Sequence, residues 1–384
     1  MGMSDHDPTS QTFAVASKEK ADYESPRRLL SSAMLRLRSQ RVPSSPDAPF
    51  YVRYDRSMGG SFAQLWFLTR GCSWDRAGAC TMCNYGHAAH VSADEMVSYV
   101  QRGLASIDRP LDELYVSPSG SLLDVAEVPL EARHRILTAI ADVAVRRFSF
   151  ETRPETVTPE VVGDIVETLP RHELAVGFGL ESADPYVLEY CLNKPGTTSA
   201  FPPAAKRLSE RGVAVYANVA LGSPFLSTGE AVDDAVATVT WAHAHGADIA
   251  LVFPMHVKSN TLLAWLYQRG RYRPPSLWSL IEVLERLDRS VLSKVQISWY
   301  RSDYGSSQNV IASPTTCPRC ERDVLLALDR YRSQPSDLSL STLQDLWCDC
   351  RERWRRELAR TPELPLAQRV QAEHALLEAH LLGG

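Results

Sequence analysis

Between about residues 60 and 300, short β-type runs alternate with stretches of helical period, and no other feature limits the fold so strongly. The β-type runs are 63–69, 113–117, 148–152, 175–180, 214–221, 247–254 and 294–299. Apolar residues at helical spacing fill the intervals at 129–146, 159–169, 204–212, 229–246 and 275–287. Strand and helix in turn imply βαβ units, whose strands run parallel because a crossover helix returns the chain to the same end of the sheet. Runs 175–180 and 247–253 are almost continuously apolar, which suits strands covered on both faces. The expected fold class is α/β, a partial or full TIM-like (β/α) barrel whose chemistry collects at the C-terminal ends of its strands. Residues 1–48 are polar and rich in Ser, Asp and Pro, and read as a flexible leader with one short amphipathic stretch at 27–37. The barrel is expected over 49–300, and a small cysteine-rich, metal-binding helical extension over 301–384.

Seven of the eight cysteines fall into two groups: Cys72, Cys80 and Cys83, then Cys317, Cys320, Cys348 and Cys350, with Cys191 alone. Thiols buried only as small apolar side chains would scatter. The first residues lack a basic stretch followed by an apolar one, so export is not expected and the cytoplasm is the expected location. There, grouped thiols serve as metal or cluster ligands rather than as disulfides. No run of eighteen apolar residues offers a membrane helix, so no membrane partner is expected. A net charge of −5 makes no global case for nucleic acid. Cys72, Cys80 and Cys83 follow directly on the first barrel strand. Three thiolates on one loop can hold three irons of a four-iron cluster and leave the fourth open to a small chelating cofactor. The competing reading is zinc completed by His87 or His90, and the loop's place at the catalytic end of a strand argues against it.

The run Arg70-Gly71-Cys72-Ser73-Trp74, continuing to Cys80-Thr81-Met82-Cys83-Asn84-Tyr85, resembles the radical SAM enzymes and, more narrowly, the radical SAM subunit of archaeosine synthase. The likeness covers roughly residues 60–356. It implies that Cys72, Cys80 and Cys83 hold a 4Fe-4S cluster and that S-adenosyl-L-methionine (SAM) chelates the open iron. One electron would then split SAM into methionine and a 5′-deoxyadenosyl radical that abstracts a substrate hydrogen. Loops at later strand ends match the same family. Ser119-Gly120-Ser121 resembles the loop that meets the methionine end of SAM, Glu151 and Arg153 the ribose and carboxylate contacts, and Gly179, Glu181 and Asn193 the adenosine side. Taken singly, these would read as a plain turn, a surface ion pair and a glycine pair. The run 270–279, with Arg271, Tyr272, Arg273 and Trp278, also resembles the family. It is either a cationic and aromatic substrate wall or a proline-led helix start with Trp278 in the core. Two departures stand out: a family lysine is Gly222 here, and the family's wording ahead of Cys317 is blurred at 306–316.

Cys317-x-x-Cys320 and Cys348-x-Cys350 make a four-thiolate set, read as structural zinc with an auxiliary iron-sulfur cluster as the competitor. The expected function is a radical SAM enzyme acting on a small-molecule or nucleobase-like substrate, by C–N bond cleavage or related tailoring in specialised metabolism. A flavodoxin or ferredoxin would supply electrons. The alternative is a tRNA-modifying C–N lyase like the resembled family, with tRNA the less favoured partner because no RNA-binding appendage is evident. A non-catalytic zinc protein is the third reading. His256, Tyr272 and Asp303 are acid–base candidates by position alone.

Overall fold

All seven expected strands form, and in the expected order. The computed structural model describes residues 26–40, 48–86, 90–118, 120–302 and 309–382. Its strands are β1 (Phe50–Ser57), β2 (Gly60–Phe67), β3 (Glu113–Ser117), β4 (Arg147–Thr152), β5 (Glu173–Glu181), β6 (Ala214–Leu221), β7 (Ile249–Pro254), β8 (Val257–Lys258), β9 (Val295–Ile297) and β10 (Val310–Ala312). One sheet runs β1-β2-β3-β4-β5-β6-β7-β9, with β1 antiparallel to β2 and every later pairing parallel. β8 and β10, far apart in the chain, pair as a separate two-stranded antiparallel sheet.

Alternation along the strands sets the two faces of this sheet. Leu65, Val116, Phe148, Phe150, Phe178, Val215 and Val252 are buried in the hydrophobic cores. Gln64, Tyr115, Ser149, Tyr216, Leu251 and Gln296 share the lining of one cavity instead. They come from strands spread across the whole sheet while β2 and β9 do not pair, so the sheet curls into a barrel left open on one side. The helix Glu321–Ser333 reaches that side, where Arg332 donates to Asp55 of β1 at 2.7 Å. β5 is buried almost throughout, as its apolar run requires. β7 alternates, because Leu251 and Phe253 front the lumen rather than a helix.

Two elements depart from the sequence reading. β1 mixes aromatic and charged residues and is only partly buried along its length, so it shows no apolar run. Residues 26–39, inside the expected leader, form the helix Pro26–Ser39 with Leu30, Ala33 and Met34 fully buried. Each large side chain buried this way contributes roughly 1.5–3 kcal/mol, which a fraying terminus would forgo. This N-terminal helix packs on the segment Val187–Cys191, on Leu262–Gln268 and on the C-terminal helix Leu366–Leu377. Among the described residues, no helix is long and apolar enough to cross a membrane.

Candidate active site and metal centre

The loop that leaves β2 is closed on itself before it presents any thiol. The Cys72 N–H donates to the Tyr85 carbonyl at 3.1 Å. Asp75, with no side-chain exposure, accepts the Gly86 N–H and pairs with Arg38 of the N-terminal helix. A Cβ at position 86 would strike the Asp75 carboxylate, so glycine is required there. Arg38 also donates to the carbonyls of Ala79 (2.8 Å), Cys80 (3.3 Å) and Cys83 (3.4 Å). Cys80 sits in the left-handed region at φ 60°, a conformation that costs a non-glycine residue free energy and persists only when its surroundings enforce it. Part of that enforcement comes from Asn193, whose Nδ2 donates to Gly78 O at 3.0 Å and to Ser31 Oγ at 3.1 Å, while its carbonyl accepts the Cys80 N–H at 3.5 Å.

The closed loop turns Cys72, Cys80 and Cys83 toward one cavity of about 1080 Å³, a volume that includes its open mouth. No described cysteine is in a disulfide. Each of the three thiols faces a cation. Arg153 Nη1 lies 3.9 Å from Cys72 Sγ, while Lys194 and Lys258 act electrostatically on Cys80 and Cys83. Burial pushes the Cys72 thiol up to about 12, so a thiolate there must be held by something bound to it.

The residues implied for SAM distribute unevenly. Gly120, Glu151, Arg153, Gly179 and Glu181 line the cavity. Ser121 is buried behind it, its Oγ 2.5 Å from Thr152 Oγ1. Asn193 does not line it and instead holds the cysteine loop, as described above. Ser119 lies outside the described residues. Gly120 rests on Glu127, which accepts from the Ser121 N–H (2.9 Å) and Thr69 Oγ1 (3.1 Å) and which burial pushes up to about 8. Burial also raises Glu151, whose Oε1 accepts from Asn218 Nδ2 at 2.8 Å. Arg153 is committed to Asp124 (2.7 Å) and Glu155 (2.6 Å). The register shift between Gly179 and Glu181 places Glu181 at φ 67° and against Lys194, 2.8 Å away. The other Glu181 oxygen is buried with no hydrogen-bond partner among the described residues.

Several candidates serve packing rather than the cavity. Tyr272 is buried and donates to Gly222 O at 2.8 Å, and Arg271 forks onto Glu373. Gly222, standing where the family has lysine, has φ 96°, and a Cβ there would meet Pro275 at 2.9 Å. The run 270–279 is therefore no cavity wall. His256 does line the cavity, but both ring nitrogens are engaged, by Trp299 O (2.5 Å) and Ser313 Oγ (3.1 Å), and burial lowers it to about 4. His90 is exposed and absent from the lining, whereas His87 and Asp303 lie outside the described residues. Sequence reasoning missed Tyr85, Asn218, Lys258 and Trp299, all of which line the cavity. Lys258 stands two residues past His256, at the end of β8.

The second cysteine group closes completely. The four sulfurs of Cys317, Cys320, Cys348 and Cys350 lie within 4.8 Å of one another, with separations of 3.6, 3.5 and 3.4 Å for the pairs 317/320, 317/348 and 320/350. A tetrahedral ion with metal–sulfur bonds of about 2.3 Å needs sulfurs about 3.8 Å apart. A cubane would hold its thiolates wider, because each binds a different iron. Trp278, expected in the core, is there, and its Nε1–H also donates to Cys350 Sγ at 3.2 Å. Such an outer-shell donor fixes a ligand sulfur.

No family model matches the chain. A protein of Methanosarcina acetivorans named archaeosine synthase subunit beta is 30% identical over 297 residues, covering 76% of this chain and 83% of that protein. One of the same name from Thermococcus kodakarensis is 31% identical over 294 residues, covering 74% and 88%. Among solved structures, a radical S-adenosylmethionine methyltransferase from Kitasatospora setae aligns at 13% identity and a TM-score of 0.43, over 76% of this chain and 60% of that one.

Proposed function

Because this chain belongs to the archaeosine synthase subunit beta family of radical SAM proteins, we propose that it is an enzyme that cleaves SAM reductively and abstracts hydrogen from a small-molecule or nucleobase-like substrate, with C–N bond cleavage or related tailoring as the outcome. One observation carries the reading: three thiols, each facing a cation, share a cavity with Gly120, Glu151, Gly179 and Glu181 at the strand ends. The donor set fits the implied groups. Three soft thiols without disulfide partners suit an iron–sulfur cluster. Two glycines and an orphaned carboxylate oxygen on Glu181 suit a zwitterionic nucleoside lying close to the backbone. When bound, the cluster and SAM together supply a primary carbon radical from one electron.

The chain's own residues prepare that chemistry. Arg38, Asp75 and Asn193 hold the cysteine loop, so the three thiols stay gathered at one cavity. Arg153, Lys194 and Lys258 offset thiolate charge in a site too buried for water to do so. Glu127, protonated at neutral pH, supports the Gly120 turn without adding a fourth negative charge beside Cys72.

At the C-terminal site we assign a single structural zinc to Cys317, Cys320, Cys348 and Cys350, on the strength of the short sulfur separations. A second reading for the substrate, tRNA handled in concert with another subunit, draws on the names of the 30–31% identical relatives. Tight tRNA binding that weakens steeply with salt would select it over a small-molecule substrate. Anaerobic reconstitution tests the reading as a whole. Four irons and four sulfides per chain are expected besides one zinc, with the iron lost when Cys72, Cys80 and Cys83 become Ala. A colourless protein carrying two zinc ions would overturn it.

A further inference from the structure

Lys258 is the cavity cation that forms no ion pair with a carboxylate among the described residues. Lys194 spends its donors on Glu181 at 2.8 Å and on the Gly179 carbonyl at 2.9 Å, and Arg153 lies between Asp124 and Glu155. Lys258 is only 9% exposed, yet its one recorded hydrogen bond goes to the neutral Tyr85 hydroxyl. Cys83, Asp75, Glu151 and Glu181 are near enough to act on it; Cys83 belongs to the cysteine group, and the three carboxylates are engaged elsewhere, with Arg38, Asn218 and Lys194 respectively. An ammonium has three donors, so two remain. Unspent donors on a buried ammonium carry a desolvation cost that an arriving anion would offset.

The surroundings restrict what that anion can be. Lys258 Nζ lies 4.0 Å from the centroid of the Tyr85 ring and 5.4 Å from that of Trp299. The β8–β10 pair carries the lysine, the Tyr85 carbonyl accepts the Cys72 N–H, and Trp299 is held at φ 54° with its carbonyl on His256, so neither flank sits on a loose segment. Flat aromatic flanks beside an ammonium suit an anionic group attached to a planar or apolar body. Lys258 and Trp299 come from elements after β7 and Tyr85 from the cysteine loop after β2, whereas the residues implied for SAM stand at the ends of β3, β4 and β5.

We propose that Lys258, flanked by Tyr85 and Trp299, anchors an anionic oxygen group of the substrate, a carboxylate or a phosphate. The proposal rests on the preceding reading that the substrate enters this cavity. Its test uses the full-length reconstituted protein and three probes of one size class: benzoate, phenyl phosphate and the neutral benzamide. Calorimetric or ligand-observed NMR titration should show at least one acid binding in clear preference to benzamide, and the stronger acid identifies carboxylate or phosphate as the matching group. Lys258→Met should weaken that acid by about ten- to a hundredfold, the range expected for a lost charge-assisted hydrogen bond. Lys258→Arg should keep most of the affinity, and Lys258→Gln serves if the methionine variant does not fold. Benzamide binding as tightly as the acids, acids binding the uncharged variants as tightly as the parent, or neither acid binding the parent would each overturn the proposal. SAM cleavage by the same parent preparation separates the two claims. Cleavage without Lys258-dependent acid binding sinks only this inference, and acid binding with SAM left whole sinks only the functional reading.

Discussion

Replacing Arg38 by methionine keeps most of the side chain's bulk and removes its charge. Arg38 is 9% exposed and its partner Asp75 is fully buried, so the variant leaves a carboxylate without its counter-ion in the interior and takes a donor from the carbonyls of Asp75, Ala79, Cys80 and Cys83. Breaking a buried pair by removing one partner typically costs about 3–5 kcal/mol. That cost falls on the closed state of the loop between Cys72 and Gly86 rather than on the barrel, since the hydrogen bonds and ion pair described for Arg38 all go to that loop. At about 1.4 kcal/mol per factor of ten, loop opening should rise at least about a hundredfold. The assay is the rate at which a strong chelator bleaches the reconstituted cluster under anaerobic conditions, measured where loop opening limits the rate. Bleaching of the Arg38→Met protein should accelerate by about that factor, and pairing it with Asp75→Asn should recover part of the loss, because the second change removes the stranded charge. Equal bleaching rates for parent and variant would refute the idea that the N-terminal helix secures the metal loop.

Three further outcomes follow from the geometry. Cys348→Ser should strip one zinc per chain, measured by elemental analysis, and open the segment beyond residue 301 to protease while the iron content stays unchanged; retained zinc would contradict the assignment. Gly179→Ala places a Cβ 2.7 Å from Glu181 Oε1 and 3.0 Å from Lys194 Nζ, so that pair must shift, and SAM affinity by titration should fall about tenfold or more; unaltered affinity would remove Gly179 and Glu181 from the SAM site. Folded Glu127 keeps its proton up to about pH 8, whereas the unfolded chain releases it near 4.5, so this group favours folding fully below 4.5 and progressively less as the pH climbs to 8. Glu127→Gln should therefore gain melting temperature relative to the parent from pH 5.5 to 8.5, and parallel melting curves would show that the carboxyl is not buried as described.

The barrel was legible because period-2 and period-3.6 patterns alternate, and both report burial directly. β1 escaped that reading because an edge strand with Arg53, Asp55 and Arg56 among its aromatics buries neither face fully. β8 is two residues long, too short for any period, and Lys258 was hidden with it. The cysteine groups could be read from spacing because thiolate chemistry demands particular side chains. The role of Arg38 left no such mark, since apart from Asp75 its partners are main-chain carbonyls, which every residue possesses. Tyr272 and Asn193 show the opposite effect: their resemblance to the family is plain, yet one braces Gly222 and the other holds the cysteine loop.

The central claim is that the Cys72, Cys80 and Cys83 site splits SAM by one-electron reduction. Protein reconstituted with iron and sulfide, reduced without oxygen and given SAM should accumulate 5′-deoxyadenosine and methionine in equal amounts, and any one of the three Cys→Ala changes should abolish both products. SAM recovered intact from protein whose four-iron content had been verified would contradict the account.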